Sequence, residues 1–386
     1  MNTNKKIKIV HIAQANGGVE VYLKMFFKYF NSNKYENYLI LSQQYDNSKS
    51  YFEKLGISVF IVDMYREISL VKDIRSMSSI FKILKNIKPN IVYTHSSKAG
   101  GLGRIPAKLI GAKNVYNPHG WAFDMNISNI KKSLFIYVEK ILACITDQII
   151  AISNYEKEIA IENGIVKENK ITVIENAIDL DNFNHKYNRT EILSEFNWRE
   201  DDIVIGMIAR ISEQKSPSTF VNIAEKVSAK YSSCKFIMVG DGDQRQEIEN
   251  MIEEKGLKSK FCITGWVKNP YKYLSVFDIA LLTSKWEGFG LVIPEYMAAK
   301  KPVIASDVGG ISTIIEHYVD GFLVSDLNVN KFVECISLLI ENREVTENIT
   351  YRALEKVKNS YNFLRVSKQH EEVFQYLYNK LNNIIQ

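Results

Sequence analysis

Short runs of Ile, Val, Leu, Phe and Tyr alternate with longer runs of helical apolar spacing through most of the chain. That alternation predicts parallel sheets covered by helices. The first series places strands near 6–12, 37–41, 58–62, 90–94, 114–117, 148–151 and 171–174. One helix between them is opened by "SNYE", Ser153 to Glu156, a capping-box pattern. The polar stretch 176–202 breaks the rhythm. A second series then begins at "IVIGMIA", 203–209, and continues through "KFIMVG", "KFCITG", "DIALLTS", "KPVIAS" and "GFLVS". The expected architecture is α/β, with two doubly wound Rossmann-like domains, 1–180 and 181–363, and a ligand between the carboxyl ends of their strands. Residues 364–386 read as one long amphipathic helix, expected to pack back on the first domain.

A chain of 386 residues accommodates two such cores. No segment supplies the roughly 18 uninterrupted apolar residues of a membrane span. The start, "MNTNKKIKIVHIA", lacks the apolar region and cleavage site of a signal peptide. Cys144, Cys234, Cys262 and Cys335 are scattered, with no metal-ligand spacing. A cytoplasmic protein with reduced thiols is therefore expected. The net charge of +5 is uneven: residues 1–180 hold 24 Lys+Arg against 16 Asp+Glu, or +8, leaving −3 for the rest. A basic first half suits a phosphate or an anionic membrane surface. No recognition motif accompanies the charge, so nucleic acid is not expected.

Four clusters fall just after expected strands. In "QANGGVEVYL", Gly17 and Gly18 at a helix start let backbone N–H groups approach an anion, although an ordinary turn reads the same way. In "YNPHGWAFD", His119 follows a strand and precedes glycine, a setting for a general acid or an oxygen-binding donor, and His95 stands similarly one strand earlier. Each is equally read as a satisfied structural histidine. In "IARISEQKSP", Arg210 and Lys215 share a loop and can neutralise a diphosphate, Arg as a fork and Lys as a point charge. The fourth cluster is "WEGFGLVIPE", 286–295, between a buried strand and a helix opening in which Pro294 is tolerated in the first turn. Gly288, Phe289, Gly290 and Leu291 form the loop that would close on a ligand, with helix 291–300 presenting its positive end. Carboxylates accept from hydroxyls rather than bind phosphates. Glu287 is thus expected to hold a hexose and Glu295 a ribose, which together describe a nucleotide sugar.

These residues carry a resemblance. "WEGFGLVIPEYMAAKKPVIASDVGGISTIIEHYVDGFLV", with seven residues between Glu287 and Glu295, resembles the family 4 retaining glycosyltransferases of GT-B fold. "GDG" at 240–242, "ENAID" at 175–179 and the early "GGVE" match in kind and order, so the likeness spans nearly the whole chain. The early loop is shorter than in many relatives, and Ala209 stands where the family often has glycine. The resemblance implies that Glu295 binds the donor ribose and Glu287 the donor sugar's hydroxyls. It implies that Arg210 and Lys215 hold the diphosphate opposite Gly18, with His119 near the transferred sugar and backbone near Trp266 and Val267 reading the base. It further implies transfer with retention, from a UDP-sugar to a lipid-linked saccharide in capsule, O-antigen or exopolysaccharide assembly. A small soluble or protein acceptor, a GT-B-fold epimerase and a non-enzymatic nucleotide-sugar-binding protein are the other readings.

Two further runs invite other chemistry. "DGD", 241–243, mimics a metal-binding DxD, but it follows "FIMVG" and opens a helix, so a turn is expected and no metal is required. "GLGRIPA", 101–107, imitates a dinucleotide loop without its third glycine. The run 70–88 carries Lys72, Arg75, Lys82, Lys85 and Lys88 among regularly spaced apolar residues, either a solvated covering helix or a contact with anionic lipid.

Overall fold

The computed structural model describes residues 6–14, 17–43, 46–65 and 67–385. The chain divides into two compact units, Met1–Asn176 with Phe363–Gln386, and Ala177–Asn362. Each is built on its own parallel sheet.

The first unit holds β1 (Ile7–Ala13), β2 (Tyr35–Leu41), β3 (Ser58–Ile61), β4 (Ile91–His95), β5 (Lys113–Asn117), β6 (Gln148–Ala151) and β7 (Ile171–Val173). They lie in the order β3-β2-β1-β4-β5-β6-β7, each pair parallel. The order runs outward from β1 and β4, so their carboxyl ends mark the switch point where crossovers part and a crevice opens. Ala13 pairs with His95, and His95 with Asn117, so three strands end level there. Strand β1 is almost wholly apolar because a central parallel strand is buried on both faces. Lys8 and His11 are the exceptions, and His11 is fully buried at the strand's middle.

Residues 101–107 are not a loop. They lie inside helix Ser97–Leu109, where a Cβ on Gly103 would come within 2.6 Å of Thr94 and one on Gly100 within 2.5 Å of Tyr116. These glycines bring the helix onto the sheet. Ser153 Oγ accepts the Glu156 N–H at 3.2 Å, so the N-cap forms, and the Glu156 side chain reaches one residue further back, to Ile152 N–H at 3.0 Å. The helix Phe363–Ile385 belongs to this unit, its Phe374 packed on Phe30, Tyr35 and Tyr93.

The second unit holds β8 (Ile203–Ile208), β9 (Cys234–Val239), β10 (Phe261–Ile263), β11 (Ile279–Leu282), β12 (Val303–Ser306) and β13 (Phe322–Val324). Their order is β10-β9-β8-β11-β12-β13, again wholly parallel, with the switch point between β8 and β11. Ile205, Met207, Phe220, Phe236, Leu281 and Ile336 fill its core. The polar stretch that broke the alternation braces this unit: Arg189 donates to Asp278 at 2.8 Å and to the carbonyls of Val276 and Asp202. Both fold expectations, α/β class and two doubly wound sheets, match what is observed.

Candidate active site

At the switch point of the second unit, β8 ends at Ile208 and delivers Arg210 and Lys215, and β11 ends at Leu282 and delivers Glu287. Lys215 Nζ and Glu287 Oε1 form a largely buried ion pair across 72 residues of sequence. Ser284 Oγ donates to the same Oε1 at 2.9 Å. Thr283 Oγ1 donates to the carbonyls of Lys215 and Ser216, at 2.9 and 3.1 Å, and so fixes the backbone that carries the lysine. Gln214 ties the two loops together, giving an amide N–H to Trp286 O at 3.0 Å and accepting from Lys285 N–H at 2.7 Å. Among the described residues, the recorded bonds of Glu287 all go to Oε1.

Glycines set the loop. Gly290 has φ +83°, which L side chains rarely adopt, and lets the chain turn into helix Val292–Ala298. Gly309 and Gly310, after β12, lie so close beneath the loop that a Cβ would come 2.0 Å from the carbonyls of Glu287 and Gly288. Gly310 N–H also donates to Glu287 O at 2.9 Å. Phe289 is turned inward against Tyr361, so its side chain cannot line a ligand pocket and only its backbone faces the loop. The helix is shorter than the expected 291–300, and Leu291, half-buried, precedes it.

Glu295 lies inside that helix. Tyr271 OH donates to Glu295 Oε1 at 3.1 Å, and Asn182 Nδ2 donates to Tyr271 OH at 3.4 Å. Burial pushes the Glu295 carboxyl up to about 7, against the opposing effect of the Tyr271 hydrogen bond. Next to it, Tyr296 OH accepts from Ile208 N–H at 2.6 Å, which locks the helix to the end of β8 beside the arginine loop.

Arg210 is half exposed, 3.7 Å from Asp243. Such a pair contributes little and leaves the guanidinium free to turn to a stronger anion. The "DGD" run is a turn. Asp241 accepts from Gly242 N–H at 2.8 Å and pairs with Arg245 at 2.9 Å. A Cβ on Gly240 or Gly242 would strike the carbonyl of Ala209 or Ile211, so these glycines seat the turn against the arginine loop. Trp266, 71% exposed, and half-buried Val267 follow β10 and Gly265. No group of three or more His, Cys, Asp or Glu suited to a metal occurs among the described residues.

At the switch point of the first unit, Gly17, φ +85°, caps helix Gly18–Tyr29, and a Cβ on either glycine would meet nothing within 4 Å. The preceding Ala15 and Asn16 lie outside the described residues. His119 is half-buried with φ +50°, its N–H held by Asn117 Oδ1 at 2.9 Å. Its Nε2 lies 3.0 Å from His95 Nδ1, and His95 Nε2 lies 3.2 Å from His11 Nδ1. His11 Nε2 meets Asn37 Oδ1 at 3.3 Å. Behind this chain, His370 Nε2 accepts from Tyr22 OH at 2.8 Å. Burial brings His11 and His119 down to about 3 and His370 to about 4, and holds His95 well below its usual range. All four rings are therefore neutral.

His119 and His95 stood out in the sequence, but His11, Asn37, His370, Tyr271 and Thr283 did not. A polar residue inside the apolar run IKIVHIA was the available signal for His11; the others are joined only by folding.

Comparison with known proteins gives this arrangement a class. Residues 16–182 match the model of Glycosyltransferase Family 4, and residues 188–356 that of Glycosyl transferases group 1. The chain belongs to this glycosyltransferase family and is an enzyme of sugar transfer. It is 29% identical over 371 residues, 94% of its length and 95% of the other's, to the UDP-Gal:alpha-D-GlcNAc-diphosphoundecaprenol alpha-1,3-galactosyltransferase of Escherichia coli. It is 26% identical, over 86% of both chains, to the capsular polysaccharide biosynthesis glycosyltransferase CapM of Staphylococcus aureus. The crystal structure of Anabaena HepE in complex with UDP and glucose superposes with a TM-score of 0.85 at 20% identity, covering 96% of this chain and 100% of that one. That likeness is one of fold, GT-B.

Proposed function

We propose that the protein transfers a hexose, with retention of anomeric configuration, from a UDP-sugar to a lipid-linked saccharide in bacterial surface-polysaccharide synthesis. The observation that carries the donor side is the Lys215–Glu287 pair at the β8/β11 switch point. In this reading the second unit binds the donor and the first unit the acceptor. Arg210 and Lys215 meet the charge that develops on the leaving diphosphate, and their fixed loops make that stabilisation preorganised. Glu287 accepts from hydroxyls of the transferred sugar. Glu295 accepts from the ribose, helped by backbone of Gly288, Phe289, Gly290 and Leu291, while backbone at Trp266 and Val267 reads the base. His119 is read as a contact of the transferred sugar and Gly17–Gly18 as a phosphate contact. In this reading the reaction needs no metal, since Arg210 and Lys215 supply the positive charge that meets the leaving diphosphate.

The lipid-linked acceptor draws support from the Escherichia coli relative and from the surface of the first unit. No helix among the described residues is long and apolar enough to cross a membrane. Helix Asn129–Cys144, however, exposes Ile130, Leu134, Tyr137, Val138 and Ile141 beside Lys131, Lys132 and Lys140. Helix Leu70–Ile87 exposes Leu70, Val71 and Ile74 beside Lys72 and Arg75, and helix Ser97–Leu109 packs against both. A row of apolar side chains flanked by lysines suits a cytoplasmic enzyme held peripherally on an anionic bilayer.

The test is transfer from UDP-galactose, UDP-glucose and their N-acetyl forms to an undecaprenyl-diphosphate-linked saccharide in vesicles with and without anionic lipid, with chelator present. Acceptor-dependent transfer, raised by anionic lipid, is expected. Hydrolysis or epimerisation of the donor without acceptor contradicts the assignment, as does a requirement for added metal for the charge scheme.

A further inference from the structure

The hydrogen-bond chain beneath His119 has a direction. Asn37 Oδ1 carries no hydrogen, so the His11 Nε2 that faces it must be the donor. A neutral imidazole has one N–H, so His11 Nδ1 is an acceptor, and His95 Nε2 donates to it at 3.2 Å. By the same count His95 Nδ1 accepts, and His119 Nε2 donates to it at 3.0 Å. His119 is left with its proton pointing into the protein and a bare lone pair on Nδ1. His11 and His95 are fully buried, so no water competes for these sites.

A second branch fixes the loop that carries the ring. His370 faces the Val366 carbonyl with Nδ1 at 2.8 Å, which makes Nδ1 its donor and Nε2 its acceptor for Tyr22 OH. Tyr93 OH lies 3.4 Å from Tyr22 OH and accepts from Asn117 Nδ2 at 3.3 Å. Asn117 thereby turns its Oδ1 to the His119 N–H. Ring and backbone of His119 are thus held by separate sets of partners, and both sets are uncharged.

We propose that Asn37, His11 and His95 are positioning residues that fix His119 as its Nε2–H tautomer and make its Nδ1 an uncharged acceptor for a hydroxyl of the transferred sugar. The proposal rests on the reading of His119 as a contact of that sugar. An uncharged acceptor has a chemical rationale in glycosyl transfer. The sugar gains positive character as its bond to the diphosphate breaks, so an imidazolium beside it would oppose the reaction, whereas a lone pair does not.

Long-range proton–nitrogen spectra of the full-length, 15N-labelled protein test this, with each imidazole assigned by single substitution. Wild type is expected to show protonated Nε2 and bare Nδ1 at His119. Asn37→Leu removes the terminal acceptor and is expected to give a mixture of tautomers at His119, 82 positions away in sequence in the same unit. Asn37→Gln retains an uncharged amide acceptor and is expected to keep the wild-type spectrum. In parallel, Asn37→Leu is expected to lower kcat by roughly 3- to 10-fold, the range of one lost hydrogen bond, with donor KM little changed. Protonated Nδ1 at His119 in wild type, or an unchanged tautomer in Asn37→Leu, overturns the proposal. Should Asn37→Leu not fold, His95→Gln against His95→Leu asks the same question, since only glutamine can accept from His119 and donate to His11. If the tautomers behave as expected but His119→Ala transfers sugar at the wild-type rate, the chain's direction stands and the contact with sugar falls.

Discussion

The two switch points of this enzyme are built with opposite electrostatics. In the second unit, Lys215, Glu287, Arg210 and Glu295 gather charge at the ends of β8 and β11. In the first, the ends of β1, β4 and β5 hold neutral histidines, tyrosines and asparagines joined by hydrogen bonds. One topology has been used to make a preorganised charge trap and a preorganised neutral network. The difference teaches that the sheet only gives the place, while the residues at strand ends decide what chemistry it suits.

The largest test of the contrast is removal of a charge. Lys215→Ala is expected to lower kcat about 10²- to 10³-fold, the range for deleting one preorganised donor to developing charge. It also leaves Glu287 without its cation. Single-turnover kinetics with saturating donor would check this, and a loss confined to KM would move Lys215 out of the charge trap.

Smaller, and opposite in kind, is the behaviour of Glu295. A carboxyl raised to about 7 is part protonated at neutral pH, and ribose hydroxyls that donate to it favour the ionised form. UDP binding near pH 7 should therefore release protons, and affinity should fall as pH drops from about 8 to 6. Calorimetry in buffers of different ionisation enthalpy reads the release directly; none in wild type would separate Glu295 from the ribose.

The smallest effect is one of stability. In the first unit His11, His119 and His370 sit at about 3 to 4 when folded against 6.5 when unfolded. The unfolded chain then binds more protons below 6.5, so their contribution is present above that value and is lost as pH falls toward the folded values. Glu156 and Glu295, raised by burial to about 8 and about 7, act the other way, losing stability as pH rises from 4.5. With more histidines than such carboxyls, the expected net result is a Tm that drops between pH 6.5 and 4.5. The slope should be shallower in His95→Gln; an equal slope would show that these histidines titrate freely.

Much of the fold was legible because buried parallel strands read as unbroken apolar runs, and IVIGMI, FIMV and IALL announce themselves. SNYE worked because a cap is a local bond. The site was legible only as separate pieces. Lys215 and Glu287 were assigned to different parts of one ligand, with nothing in the chain to show that they pair across 72 residues. Phe289 read as a ligand contact because a loop sequence does not say which side chain turns inward. GLGRIPA imitates a dinucleotide loop because glycine marks turns and close packing alike; here it is close packing. The histidine chain draws on β1, β2, β4 and the loop after β5, and its partners meet only once the strands take the order β2-β1-β4-β5.

The central claim, that the charged switch point holds a nucleotide sugar, is tested most directly by thermal stabilisation across UDP-, GDP- and ADP-sugars, with NAD as control, in wild type, Lys215→Ala and Glu295→Ala. The account predicts stabilisation of wild type by UDP-sugars, about 2.7 kcal/mol at a hundred times the dissociation constant, reduced in both variants. Equal stabilisation of all three proteins, or none by any nucleotide sugar, would contradict it.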